Sequence, residues 1–553
     1  MPSVETASAI LESLDALGVT HVLYCPGSRS APFAYALEAG SFGGDARAVL
    51  DERGAGFAAV GLARTGGLPA VVVTSGTAVA ELAPAVLEAS HARLPLLLLT
   101  ADRPGELRGV GASQATDQAG FFGTHVRASI DLEPQEVAPS LVGHLARAVA
   151  AACGAPSGAP GPVQVNVAFR DPLTPVRPAC DCGDEAGASF VPRPTRVLAA
   201  PAVPVPWEDV VGPAAAGLIV AGEGASPRAR EWSAASGFPL LAEPASGAWS
   251  AGGVTPFEQT LVASSLGSEV DTVVVTGRPT LSRPIQALLA RPDVRVVVVD
   301  AHAPWVDISG NASVVVADLE PAREPIRAAQ AEWASRVRDA AREAGERIDS
   351  LLASGSGRTM LDLARSVAAS TSGPLVLGAS NPVRAFDLAV PTLEGRAVHS
   401  NRGQAGIDGT IATAVGIALG SGYAGEASAP AGGRVTAVIG DLTACHDASS
   451  LALASSVRAN LDIVVADDQG GGIFATLEHG RATSPEAYDR WFGLAQTVDY
   501  EALAAAYGVA FARAETPAQL AQLLETGEAS PRLVHAPVER AAHLYPAVRD
   551  VLS

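Results

Sequence analysis

The 553-residue chain reads as an α/β protein of three doubly wound parallel-sheet domains. Short Val-, Leu- and Ile-rich runs alternate with longer helical stretches, the pattern of strand–helix–strand crossovers. Several runs are apolar at every position, as suits strands covered on both faces. Almost every run also ends in a polar or glycine-rich motif, the place where open parallel sheets gather ligands.

Taken in order, the predicted strands are His21–Cys25, Ala70–Thr74, Leu96–Thr100, Val163–Val167, Leu218–Ala221, Thr272–Thr276, Val294–Val299, Leu375–Leu377, Val435–Ile439, Asp462–Ala466 and Arg532–His535. A Pro-rich stretch without periodicity, from about Asp171 to Trp207, reads as a linker. A second break, Ser354-Gly355-Ser356-Gly357, follows a charged helical stretch from about Pro321 to Leu352. The expected domains are therefore roughly 1–175, 200–345 and 356–553. Val22–Arg29 and Val376–Arg384 each read as a strand entering a small-residue turn with Pro and Arg, which points to kinship between the first and third domains.

Composition excludes several classes. The net charge of -20 argues against nucleic acid or an anionic membrane as main partner. All 38 basic residues are arginine, so Schiff-base chemistry and a Walker-type phosphate loop are ruled out, while fixed guanidinium forks for carboxylates remain. Cys25, Cys153, Cys180, Cys182 and Cys445 are odd in number and scattered, which fits free thiols in a reducing cytosol. Cys180-Asp181-Cys182 lacks a second ligand pair for zinc and reads as loop thiols. Met1 to Gly18 has no basic start and no long apolar run, so neither a signal peptide nor a membrane span is expected.

Chemistry concentrates in two places. Gly440-Asp441 and Asp468-Gln469-Gly470 follow successive strands 27 residues apart, so a parallel pairing sets them side by side at one sheet edge. Two carboxylates, backbone carbonyls and glycine-led turns suit Mg²⁺ with a phosphorylated ligand; ordinary strand–helix turns with an N-cap aspartate are the alternative. The second is Asp51-Glu52-Arg53-Gly54, opening a small-residue helix. There an acid either complements the helix dipole or faces a ligand nitrogen from an apolar cleft. Gly222-Glu223-Gly224 lacks the last glycine of a dinucleotide fingerprint, and His446 reads as a helix-start or packing residue.

These motifs resemble the thiamine-diphosphate-dependent enzymes. Cys25–Pro32, Thr74–Ala78, Ala101–Pro104, Ser380–Arg384, Asn401–Gly409 and Gly472–Phe474, in this order along the chain, are similar to the menaquinone-pathway branch of that family. The resemblance implies pyrimidine-binding, central and diphosphate-binding domains, with sites between the first domain of one chain and the third of another, hence a homodimer or homotetramer. It implies Glu52 as the catalytic acid and Ile407 as the bulky residue that bends the coenzyme. Ser380, Gly440, Leu442, Thr443, Gly471, Gly472 and Ile473 would line thiamine diphosphate. Asp441, Asp468 and Gly470 would hold Mg²⁺, with Mn²⁺ as alternative. Arg384 and Arg402 would meet 2-oxoglutarate; Ser28, Arg29, Arg103, Gln114 and Arg283 would meet isochorismate; and Phe474 would line the substrate site.

Two departures accompany the resemblance. Asp468 stands where Asn is common, and Ser282 where relatives carry Lys, with Arg278 as a nearby cation to compensate. Two other readings stay open: a different thiamine-diphosphate 2-oxoacid decarboxylase or ligase, and a cofactor-binding subunit without catalysis. The substrate-facing arginines speak against the first, and Glu52 with Asp441 against the second.

Overall fold

The computed structural model describes residues 3–134, 139–175, 192–193, 195–422, 434–526 and 531–553. Its strands form three sheets in which all pairs between named strands are parallel. The first holds β1 (His21–Tyr24), β2 (Asp45–Ala48), β3 (Pro69–Val73), β4 (Leu96–Asp102), β5 (Ser129–Leu132) and β6 (Pro162–Ala168), in the order β2-β1-β3-β4-β6-β5. The second holds β7 (Gly217–Ala221), β8 (Leu240–Ala242), β9 (Thr272–Thr276), β10 (Arg295–Val299) and β11 (Ala312–Val316), in the order β11-β10-β9-β7-β8. The third holds β12 (Leu375–Leu377), β13 (Val398–His399), β14 (Val435–Gly440), β15 (Leu461–Asp467), β16 (Ala510–Arg513) and β17 (Arg532–Pro537), in the order β13-β12-β14-β15-β17-β16.

The first and third sheets thus repeat one topology, and the second repeats it without a sixth strand. In each, strand order reverses beside the first strand, creating the crevice where doubly wound folds bind ligands. The central strands β3, β4, β6, β7 and β9 are buried at every residue, as their largely apolar sequences favour, with Gln164 and Asn166 of β6 as buried polar exceptions.

The chain divides into two compact units. One is Met1–Ala200 with Ala412–Ser421; the other is Pro201–Ile411 with Gly422–Ser553. The second unit contains two sheets, and a single apolar core runs through both, from Trp207 and Ile219 to Phe386 and Val548. Burial of that shared face, at about 25 cal/mol per Å², is what fuses them. In the first unit, the helix Glu52–Arg64 crosses residues 412–420 of a later helix at glycine contacts: a Cβ on Gly61 would stand 2.2 Å from Thr413 O, and one on Gly416 1.9 Å from Ala58 O. No side chain fits between these backbones, which fixes their separation.

The charged helix spans Ala328–Ala353 and starts later than its sequence suggests, because residues 321–327 take no helical turn. Cys180 and Cys182 lie outside the described residues. No helix among the described residues is long and apolar enough to cross a membrane.

Candidate active site

In the first unit, the groups singled out by sequence lie at the carboxyl ends of β1, β2, β3 and β4. Asp51 caps the helix Glu52–Arg64, accepting from Arg53 N at 3.0 Å and Gly54 N at 3.3 Å. Because Asp51 does the capping, the neighbouring Glu52 carboxyl is not needed for it. Burial, with Asp51 and Glu81 nearby, raises the Glu52 pKa above the ordinary glutamate value. The buried Cys25 thiol is also raised, by desolvation and then by Glu52 and Asp51. Such a carboxyl keeps its proton to higher pH, as an acid serving a ring nitrogen requires.

Arg29 Nη1 donates to Phe169 O at 2.9 Å, while Ser28 next to it is exposed. Arg103 Nη1 donates to Ser75 Oγ at 2.6 Å and to Gln114 O at 2.8 Å, and Gln114 Nε2 donates to Ser75 O at 2.8 Å. Burial depresses the Arg29 pKa, with Arg103 adding to it. The two guanidiniums therefore sit close enough to feel each other, with Asp171 and Asp102 partly offsetting their charge.

In the second unit, β14 pairs with β15 so that Gly440 lies opposite Ala466. This register brings Asp441 to the 467–470 turn, where Gly470 N donates to Asp441 Oδ2 at 2.7 Å. The turn is shaped by a left-handed Gln469 (φ 59) and by Gly470 (φ 122), whose Cβ would stand 2.1 Å from Gly493 O. Burial and then Asp467 raise Asp441 to about 6; burial and then Asp441 raise Asp468 to about 7. Asp467 itself is lowered by its 2.9 Å hydrogen bond with His535.

Carboxylates crowded in this way are relieved by a divalent cation. Among the described residues, no three or more His, Cys, Asp or Glu side chains gather for a metal. Asp441 and Asp468 offer two carboxylates, which suits Mg²⁺ completed by phosphate oxygens and water. A Cβ on Gly440 would meet nothing within 4 Å, so this turn leaves space for such a ligand. The residues fit the group. Leu442 and Thr443 continue from Asp441 in the helix Asp441–His446. Gly471 leads into the helix Gly472–Ala475, which holds Ile473 and Phe474, and Tyr488 Oη donates to Gly471 O at 2.8 Å. Half-buried Ile407 lies in the loop between β13 and the helix Thr410–Gly420.

Ser380 occupies the N-cap position of the helix Asn381–Ala389 after β12, without a side-chain capping bond. Arg384 Nη1 donates to Ser380 O at 2.8 Å and to Ala379 O at 3.2 Å, and Arg402 Nη1 donates to the same Ala379 O at 3.2 Å. Two guanidiniums thus converge on one strand end. Burial, then Arg402, pushes Arg384 down to about 10. Arg402 Nε is buried without a hydrogen-bond partner. Arg384 lines a cavity of about 950 Å³ with Arg283, Arg481, His543 and Arg549. That is a small-molecule volume with an anion's preference.

Arg283 is 66% exposed there, 3.4 Å from Glu478. Ser282 is fully buried and caps Arg283–Leu289 by accepting from Ile285 N. Arg278 does not replace the missing lysine: it pairs with Glu223 at 2.9 Å, donates to Arg402 O at 2.9 Å and lies outside the cavity lining. His446 is exposed, 3.9 Å from Asp408.

The sequence reading missed a buried acid group behind the arginine pair. Glu243, Glu258 and Asp387 are each raised by burial; Asp387 accepts from Gln259 Nε2, and Glu243 accepts from Leu281 N at 2.6 Å. Asp387 follows Arg384 by one helical turn, and that spacing was the available signal.

Comparison with known proteins agrees with this layout. The thiamine pyrophosphate enzyme N-terminal TPP binding domain matches residues 4–121, and the C-terminal TPP binding domain matches residues 385–536. A 2-succinyl-5-enolpyruvyl-6-hydroxy-3-cyclohexene-1-carboxylate synthase of Kineococcus radiotolerans is 43% identical, covering 96% of this chain and 94% of its own. Proteins of the same name from Renibacterium salmoninarum and Nocardioides sp. are each 39% identical, over 100% and 97% of this chain and 97% and 95% of theirs. The chain is therefore a thiamine-diphosphate-dependent enzyme and belongs to the 2-succinyl-5-enolpyruvyl-6-hydroxy-3-cyclohexene-1-carboxylate synthase family.

Proposed function

We propose that the chain decarboxylates 2-oxoglutarate and adds the four-carbon remainder to isochorismate, giving 2-succinyl-5-enolpyruvyl-6-hydroxy-3-cyclohexene-1-carboxylate and CO₂ in menaquinone biosynthesis. It works in the cytosol as a homodimer or homotetramer, with each site completed between chains and its three domains at about 1–175, 200–345 and 356–553. The convergence of Arg384 and Arg402 on Ala379 O, at the sheet edge that carries Asp441, carries this reading. A dicarboxylate substrate needs a second cation site beyond the coenzyme cradle, and a simple 2-oxoacid does not.

Bound thiamine diphosphate supplies the electron sink that lets a 2-oxoacid lose CO₂. Asp441, Asp468 and the Gly470 carbonyl would hold the Mg²⁺ or Mn²⁺. Ser380, Gly440, Leu442, Thr443, Gly471, Gly472 and Ile473 would form the diphosphate cradle, and Ile407 would provide the bulk that bends the coenzyme. Glu52 holds and returns a proton at the aminopyrimidine nitrogen. Arg384 and Arg402 grip the carboxylate of the 2-oxoglutarate-derived group, and Phe474 lines the substrate site. Arg29, Arg103 and Arg283, with Ser28 and Gln114, orient isochorismate.

The test is a two-substrate assay with Mg²⁺ and thiamine diphosphate, following CO₂ and the joined product. Rapid 2-oxoglutarate consumption that depends on isochorismate is expected. Consumption indifferent to isochorismate would make the enzyme a plain decarboxylase.

A further inference from the structure

The first unit buries a polar network in strands that are otherwise apolar. Thr100, Asp102, Gln118, Gln164 and Asn166 are each at most 1% exposed. Asn166 uses all four of its hydrogen-bonding sites. Its Oδ1 accepts from Thr100 Oγ1 at 2.9 Å and Gln118 Nε2 at 3.2 Å; its Nδ2 donates to Asp102 Oδ2 at 2.9 Å and Asp131 Oδ1 at 2.8 Å.

Gln118 carries this frame to the substrate edge. Its Oε1 accepts from Gly76 N at 3.0 Å, its Nε2 donates to Ala101 O at 3.2 Å, and its carbonyl accepts from Gln164 Nε2 at 2.7 Å. Ser75 and Gly76 form the turn on which Arg103 and Gln114 rest. That turn has little slack. Gly76 has φ 87, and a Cβ there would stand 2.8 Å from Gln114 Cγ; Gln114 itself is left-handed at φ 54. A conformation of that kind persists only where its surroundings over-determine it.

We infer that Gln118 is a positioning residue for isochorismate: it fixes the Ser75–Gly76 turn and, through it, the Arg103 guanidinium and Gln114. The inference rests on the proposed placing of isochorismate at Arg103 and Gln114. Gln118 touches no substrate; it acts through the turn.

The experiment compares holoenzymes carrying Gln118→Met, Gln118→Glu and Arg103→Ala with wild type. Gln118→Met keeps the volume and loses every side-chain hydrogen bond, so the isochorismate KM should rise about ten-fold, the scale of one or two lost hydrogen bonds. The 2-oxoglutarate KM and isochorismate-free decarboxylation, read with an artificial electron acceptor, should change less than about two-fold. Gln118→Glu keeps the acceptor for Gly76 N and should recover part of the loss.

Equal rises in both KM values, or a lower Tm with both KM values unchanged, would overturn the inference and leave Gln118 a packing residue. Arg103→Ala separates the two ideas. An isochorismate defect in Arg103→Ala without one in Gln118→Met sinks the positioning role alone. No isochorismate defect in Arg103→Ala sinks the substrate placing and the inference with it.

Discussion

The second and third sheets share a strand order and a compact unit, yet treat the same crevice in opposite ways. In the third sheet, the turn after β14 stands open: a Cβ on Gly440 meets nothing within 4 Å. In the second, the turns after β7 and β9 are stitched together. Glu223 N donates to Arg278 O at 3.2 Å, Arg278 N donates to Glu223 O at 2.9 Å, and their side chains pair at 2.9 Å. Gly222 is pressed so closely that a Cβ would stand 2.0 Å from Pro279 N. Topology offers a binding crevice in both, and a handful of residues decides whether it is used. The sealed crevice still contributes, because Arg278 donates to Arg402 O and so anchors the backbone that carries one guanidinium of the open one.

The contrast can be broken most sharply at Asp441. Asp441→Ala should abolish Mg²⁺-dependent coenzyme binding, a loss of at least about a hundred-fold when one of two ligating carboxylates goes. Calorimetry showing unchanged affinity would remove the third crevice from the site. Arg384→Ala should raise the 2-oxoglutarate KM by about ten- to a hundred-fold, the scale of a charged hydrogen-bonded contact, and the isochorismate KM much less. The reverse order in steady-state kinetics would exchange the two subsites.

Paired glycine substitutions sharpen the comparison further. Gly222→Ala should destabilise the protein by about 1–3 kcal/mol, since the added methyl meets backbone. Gly440→Ala should leave Tm within a degree or two and weaken the diphosphate contact instead. Equal Tm losses would mean that both crevices are closed.

The smallest effect is one of pH. Asp441 and Asp468 are raised to about 6 and about 7 in the folded chain, above the aspartate value of 3.8, so ionising them opposes folding. Their contribution is fully present below pH 4 and is lost as pH rises through 6 to 7. The metal-free protein should therefore gain less stability than other carboxylates would give it across that window, and Mg²⁺ with coenzyme should restore the difference. A Tm gain on adding both that is the same at pH 5.5 and pH 8 would contradict this.

What the sequence revealed, and what it hid, follows from burial and from strand length, since the hidden β8 is buried throughout but only three residues long. Every central strand was legible, because strands such as β4 and β6 are covered on both faces and announce themselves by apolar runs. The strands it hid are β2, β5, β8, β11, β13 and β16, the two edges of each of the three sheets. Asp45–Ala48 alternates half-buried and exposed residues, and Val398–His399 is two residues long. Such segments are strands because a neighbour supplies the hydrogen bonds, and their own sequences carry little trace of it. The candidate site was legible where glycine turns and charges share a motif, as at Gly440-Asp441 and Pro26–Arg29. It was silent where distant segments meet, as at Gln118 with Asn166 or Gln259 with Asp387. Even so, two amides inside the apolar run Val163–Val167 were a visible clue, since buried amides need partners.

The first unit is also finished late. Its last helical piece, residues 412–421, is translated more than two hundred residues after Ala200. At about 5–20 residues per second, the nascent chain spends roughly 10 to 40 s with the groove beside Gly61 unfilled. During that interval the first domain can collapse but not complete its packing, although β12 and β13 of the third sheet have already been translated before the missing helix arrives.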